Sequence, residues 1–169
     1  MTTSTQTDVS TQVYRVYIKA TPEAIWDAIT KPEWNKQYGY GGEGTYDLRP
    51  GGAYLALTSP EMRAQGAPDE AVDGEVIECE PPFRLVQTWR LVMDPTIKAE
   101  GFTRLTFEIA SAGDGVSKLT ITHEFDQAPN AALLLSGGYE EMGQGGGGGW
   151  AWVLSDLKSL LETGRRMAG

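Results

Sequence analysis

The stretch GQGGGGGWAWVLSDLKSLLETG, residues 143–164, sets the loosest composition in the chain directly against its clearest helical pattern. Trp150, Val153, Leu154, Leu157, Leu160 and Leu161 recur at steps of three and four residues, which lays one apolar stripe along a helix. The spacing predicts a helix over about 150–163. Gly164 is placed as its C-terminal stop, and Arg165 and Arg166 complement the helix dipole. A terminal helix with one apolar stripe needs a surface to cover, and the rest of the chain supplies strands.

The glycines themselves match GxGxxG formally, through Gly143, Gly145 and Gly148. A dinucleotide loop, however, needs a strand before it, a βαβ unit around it and an acidic residue further on. Here GGYEEM precedes the run, the chain stops soon after the helix, and no lysine follows to make a P-loop. Two readings stay open for the run: a flexible linker, or a mobile flap over a cavity mouth.

Working back from the helix, SKLTITHEFD (117–126) and FTRLTFEIA (102–110) alternate as strands, joined by the turn SAGDGV (111–116). FRLVQTWRLV (83–92) and AVDGEVIECE (71–80) are two more, meeting at Pro81-Pro82. GTYDLRPGGAYLALT (44–58) is a hairpin turned by Arg49-Pro50-Gly51-Gly52. Residues 59–69 read as a polar loop. QVYRVYIKA (12–20) is a strand running straight into TPEAIWDAIT, where Thr21 caps a helix and Pro22 takes its first position. A second short helical turn falls around Pro32–Gln37, and AALLLS (131–136) suggests another inside the long connection 127–149. Antiparallel strands with a segregated terminal helix define an α+β fold. The expected organisation is a disordered N-terminal tail (1–11), one domain (12–164) and a short C-terminal tail (165–169).

Composition narrows the function. The 169 residues suit one domain, and a formal net charge of -9 excludes the basic footprint that nucleic acid requires. No apolar run approaches the roughly 18 residues of a membrane span, and MTTSTQTDVST lacks a signal peptide's pattern, so a cytoplasmic protein is expected. One cysteine, Cys79, allows no internal disulfide and reads as a small buried apolar residue. No GxSxG, HExxH or CxxC occurs, and the single histidine has no partner at metal-ligand spacing. Neither a metal nor a cofactor is therefore expected.

The motifs ATPEAIWDAIT, YDLRPGGAY, DGEVIECEPPFRLVQTW and GGWAWVLSDLKSLLETG, in this order, resemble the helix-grip superfamily that includes START and Bet v 1 domains. Within it the chain is similar to the branch related to the C-terminal domain of the Hsp90 ATPase activator, over roughly residues 12–164. The resemblance implies a curved antiparallel sheet of six to seven strands gripping the C-terminal helix, with two short helices after the first strand. It carries no family-wide catalytic motif. Its members include lipid and hormone binders, cyclases and co-chaperone-like proteins.

Candidate site residues follow from faces and stripes. Trp26, Tyr38, Tyr54 and Trp89 supply aromatic walls for a cavity between sheet and helix, with Tyr14 and Tyr40 as further contributors. Leu105 and Phe107 share the inner face of one strand, and Trp150, Leu154 and Leu157 lie on the helix stripe. Trp152 falls off that stripe, at the helix edge. His123 groups by parity with Leu119, Ile121 and Phe125, so it is expected among apolar neighbours. It reads as a satisfied core histidine, a polar ligand contact or a general acid or base. In the acidic cluster from Asp69 to Glu80, alternation sets Asp73 and Glu75 opposite Glu78 and Glu80. An inward Glu75 would partner Arg90 or His123.

The leading expectation is a binder of a small hydrophobic or amphipathic molecule. A cyclase or dehydratase using His123 is the alternative enzyme, and a co-chaperone-like or stress-response interaction module is a third reading. A homodimer through exposed aromatics and an edge strand is also left open.

Overall fold

The first strand ends where a helix start is written into the sequence. A computed structural model describes residues 11–138 and 148–167. In it β1 (Thr11–Ile18) gives way to α1 (Pro22–Thr30), whose N-cap Thr21 accepts the Ala24 N–H at 3.1 Å. The same signal, a capping side chain followed by proline, starts α3 (Pro60–Ala64) after Ser59 and α4 (Pro95–Lys98) after Asp94. Residues 59–69, read as loop, therefore contain a short helix. The remaining helices are α2 (Pro32–Asn35), α5 (Pro129–Leu135) and α6 (Gly149–Thr163).

The strands are β2 (Gly44–Tyr46), β3 (Ala53–Leu57), β4 (Glu70–Glu80), β5 (Arg84–Leu91), β6 (Thr103–Gly113) and β7 (Val116–Glu124). Among the described residues they form one antiparallel sheet in the order β1-β7-β6-β5-β4-β3-β2. Helices α1 and α2 thus carry the chain from one edge of the sheet to the other, and β2 to β7 then return as a meander. Asp114 and Gly115 turn the β6–β7 hairpin with φ of 54° and 77°. Two positive φ values fit the twist of a two-residue hairpin, which is why an Asp-Gly pair stands there.

Helix α6 lies across the inner face of the sheet. Its Trp150, Leu154, Leu157 and Leu160 are buried in the same core as Leu119 and Ile121 of β7 and Ile109 of β6. Gly164 stops it in the left-handed region at φ 81°, donating its N–H to Leu160. Gly149 starts it at φ 67°, and a Cβ there would fall 2.2 Å from the Leu135 carbonyl oxygen. A glycine at the first position of the helix is thus a packing requirement where α5 meets α6. Most of the glycine run, Gly143 to Gly147, lies outside the described residues, and so do the two readings of it. The tail at 1–10 also lies outside them.

A β-bulge between Val76 and Glu78 resets the acidic strand. Alternation alone sets Glu78 opposite Asp73. The bulge instead returns Glu78 to the outer face, where it pairs with Arg84 at 3.2 Å while Asp73 holds Arg90.

Candidate functional site

Between the inner face of the sheet and α6 the structure leaves a cavity of about 830 Å³. It is lined by residues of all the strands from β2 to β7 and of α6, together with the α2–β2 loop, α3, α4 and α5. Of the residues expected there, Tyr54, Trp89 and Phe107 line it from the sheet, and Tyr38 from the α2–β2 loop. Trp150, Leu154 and Leu157 line it from the helix. Phe107 and Trp150 meet edge to face, 6.2 Å between centroids, so the two layers touch at this end of the cavity. Tyr40 also contributes to the wall. Trp26, Leu105 and His123 lie in the packed core and not on the wall.

One wall carries three phenols from neighbouring elements. Tyr46 and Tyr54 are directly paired across β2 and β3, and their rings stack at 4.4 Å. The Tyr46 hydroxyl donates to Oε1 of Gln87, which is fully buried, at 2.6 Å. Gln87 Nε2 donates in turn to the Thr88 carbonyl at 3.2 Å. Tyr38 donates to the Ala28 carbonyl at 2.9 Å. Burial raises the pKa of all three phenols, that of Tyr54 to about 12, so they stay protonated. Neither Tyr46 nor Gln87 stood out in the sequence. Gln87 breaks the pattern of strand 83–92, where a polar residue shares the parity of Trp89 and Leu91, and that was the available signal.

His123 sits behind two indoles of the cavity wall. It is fully buried, stacked on Phe125 at 4.0 Å and met edge-on by Trp89. Trp150 Nε1–H donates to His123 Nδ1 at 3.1 Å. An indole N–H can only donate, so Nδ1 carries no proton and Nε2 does. Nε2–H donates to Thr103 Oγ1 at 2.7 Å, and Thr103 passes its own proton to the Trp89 carbonyl at 2.8 Å. Burial pushes the imidazole pKa down to about 3. Both ring nitrogens are committed, and the ring is neutral at ordinary pH.

The other candidates are equally engaged. Arg90 grips Asp73 through Nε and Nη2, at 3.0 and 2.7 Å, and lies over the Phe102 ring. Glu75 is exposed, so neither Arg90 nor His123 has it as a partner. Burial pushes the Cys79 thiol up, away from thiolate. Among the described residues no group of three or more His, Cys, Asp or Glu side chains is placed to hold a metal. No described helix is long and apolar enough to cross a membrane.

Two polar anchors, silent in the sequence, hold the rim. Asp156, fully buried on α6, accepts the Gly39 N–H at 2.9 Å and the Met167 N–H at 2.7 Å. Arg166 reaches the same carboxylate at 3.0 Å and donates to the Gly39 carbonyl at 2.8 Å. Residues 166 and 167 are thereby tied to the α2–β2 loop. Glu100 accepts the Asn130 and Ala131 N–H groups at 2.9 and 3.0 Å and caps α5.

The sheet, the long terminal helix and the hollow between them define the helix-grip class. A family model described as activator of Hsp90 ATPase homolog 1-like protein matches residues 19–162, and the chain belongs to that family. Protein MLL2253 from Mesorhizobium loti is similar in fold, with a TM-score of 0.63 and 22% identity over 89% of this chain and 96% of that one. CalU16 from Micromonospora echinospora, in its solution structure, has a TM-score of 0.61 and 21% identity over 94% of this chain and 69% of its own. PFC0360w, an HSP90 activator from Plasmodium falciparum, has a TM-score of 0.52 and 19% identity over 69% and 73%. At these identities the likeness is one of fold. No curated protein is similar enough to match.

Proposed function

We propose that the chain binds a small, largely apolar molecule in the hollow between sheet and helix. The cavity carries this reading: about 830 Å³, walled by phenols, indoles and aliphatic side chains. That volume is within the range of about 300–1,000 Å³ common to small-molecule sites. The proposed contacts are Tyr54, Trp89 and Phe107 on the sheet and Tyr38 on the α2–β2 loop, with Trp150, Leu154 and Leu157 on α6. Titration with the neutral dye N-phenyl-1-naphthylamine tests it, because Trp89 and Trp150 report on the cavity. Saturable quenching of tryptophan emission at one dye per chain is the expected result. No saturable change would count against a ligand site here.

A cyclase or dehydratase is disfavoured, because both nitrogens of His123 are taken by Trp150 and Thr103 and the ring does not line the cavity. A co-chaperone-like role is the second reading. It draws on the family description and on the Plasmodium neighbour described as an HSP90 activator. Stimulation of an Hsp90 ATPase by the purified chain would support it, and an unchanged rate would remove it.

A further inference from the structure

We infer that His123 is a positioning residue for the ligand: without touching it, the imidazole fixes the Trp150 indole in the orientation on which ligand affinity depends. The inference rests on the cavity being a ligand site.

His123 engages both indoles of the cavity wall. Trp150 Nε1–H donates to its Nδ1 at 3.1 Å, and the Trp89 ring meets it edge-on with centroids 5.1 Å apart. Both tryptophans line the cavity, and His123 does not. The imidazole is itself held from behind. It stacks on Phe125 at 4.0 Å, and Thr103 Oγ1 takes Nε2–H at 2.7 Å. Thr103 donates onward to the Trp89 carbonyl at 2.8 Å, so the chain of bonds ends on the backbone of β5. The acceptor offered to Trp150 therefore has a fixed place and a fixed direction.

A polar side chain at this position needs a reason. Leu119 and Ile121 share its face of β7, and another apolar residue would fill the site with no polar group to desolvate. Apolar contact, however, is non-directional. A hydrogen bond weakens steeply as donor and acceptor fall out of line, so it sets an angle that packing leaves open. The start of α6 has particular use for such a tether. It follows Gly148 as N-cap, with no capping side-chain bond. The first turn is tied down by the Gly149 N–H on the Tyr40 hydroxyl at 3.0 Å and by the Trp150 bond to His123. Phe107 meets the same indole edge to face from β6. With the acceptor removed, the indole is free to spread over its staggered wells. If one of about three is competent, ligand affinity falls about threefold.

Three variants of the full chain test this: His123→Leu, His123→Asn and Leu105→Ala. Leu105 pairs with His123 in the β6–β7 register, is buried and does not line the cavity, so its loss loosens the core and spares the bonds. N-phenyl-1-naphthylamine affinity is read from the dye's own emission. Exchange of the Trp150 indole N–H is read by NMR, with the resonance assigned through its loss in Trp150→Phe. His123→Leu is expected to weaken dye binding at least about threefold and to speed indole exchange at least about tenfold. His123→Asn places an amide oxygen near the site of Nδ1, and should restore affinity to within about twofold and slow the exchange again. Leu105→Ala should leave affinity within about twofold of the unaltered chain, although it is less stable. Should His123→Leu fail to fold, Thr103→Val reads the chain from its far end, with an affinity loss of at least about twofold expected. Unchanged affinity in the folded variant that carries the test overturns the inference. Equal loss in His123→Asn and His123→Leu overturns it too, because ring bulk and not the acceptor then matters. A loss in Leu105→Ala as large as in His123→Leu also does so, because any loosening of the core then suffices. All three leave the cavity reading standing. Failure of the dye to bind the unaltered chain removes that reading, and the positioning role with it.

Discussion

The indole of Trp150 donates its N–H to Nδ1 of His123 across 3.1 Å, tying the first turn of α6 to β7. The bond fixes the tautomer, and through Thr103 it extends to the backbone of β5. The one histidine of the chain is therefore a bolt between layers, with a cavity wall in front of it.

That arrangement has a pH signature. The imidazole pKa lies at about 3 in the fold against 6.5 unperturbed. Below 6.5 the unfolded chain binds a proton that the native state refuses, so stability falls as pH falls through 6.5 and is complete above it. The loss at pH 5 should be on the order of 2 kcal/mol. Urea unfolding at pH 5 and 7.5, compared with His123→Gln, checks it. The variant should be less stable at pH 7.5, and its difference from the parent should shrink at pH 5. A difference independent of pH would contradict the account.

Asp156 is a buried carboxylate whose partners lie on two separate segments. Asp156→Ala strands Arg166 and the Gly39 N–H and should cost about 2–4 kcal/mol. Arg166→Ala should cost less, roughly 1–2 kcal/mol, because two backbone N–H groups still reach the carboxylate. Amide exchange of residues 36–43 should speed up in both variants. A double-mutant cycle that shows strict additivity would mean the two side chains are not coupled.

Glu100 closes the start of α5 from the α4–β6 connection. Glu100→Ala should lower stability by about 1 kcal/mol, as loss of a helix cap does. Amides 131–135 should lose protection more than the β6–β7 hairpin does. Equal loss across the sheet would indicate general destabilisation and no capping role.

The outline of the fold could be read where chemistry is local. Thr21-Pro22, Arg49-Pro50-Gly51-Gly52, Asp114-Gly115 and Gly164 each set a boundary through their own backbone preferences. The α6 stripe placed the gripped helix because burial against a sheet imposes its period on the sequence. Short helices α3 and α4 carry the same cap-and-proline signal as α1, but they are too brief to show a stripe.

The site was less legible, because it depends on register. The Val76–Glu78 bulge moved Glu78 to the outer face, and no residue type announces a bulge in that strand. Asp156 looks like any surface aspartate until Gly39 and Arg166 arrive from elsewhere in the chain. Strand parity correctly put His123 among apolar neighbours. It could not show that Trp150 and Thr103 would take both nitrogens, or that Trp89 and Trp150 would stand between it and the cavity.

The most direct measurement is a dye titration after filling the cavity. Ala56 and Ala71 both line it, from β3 and β4. Ala56→Phe and Ala71→Phe should each retain cooperative unfolding and lower N-phenyl-1-naphthylamine affinity by at least about tenfold, as a filled hollow loses the apolar surface it offers. If the folded variants bind the dye as tightly as the unaltered chain, the hollow between the sheet and α6 is not where this protein holds a ligand.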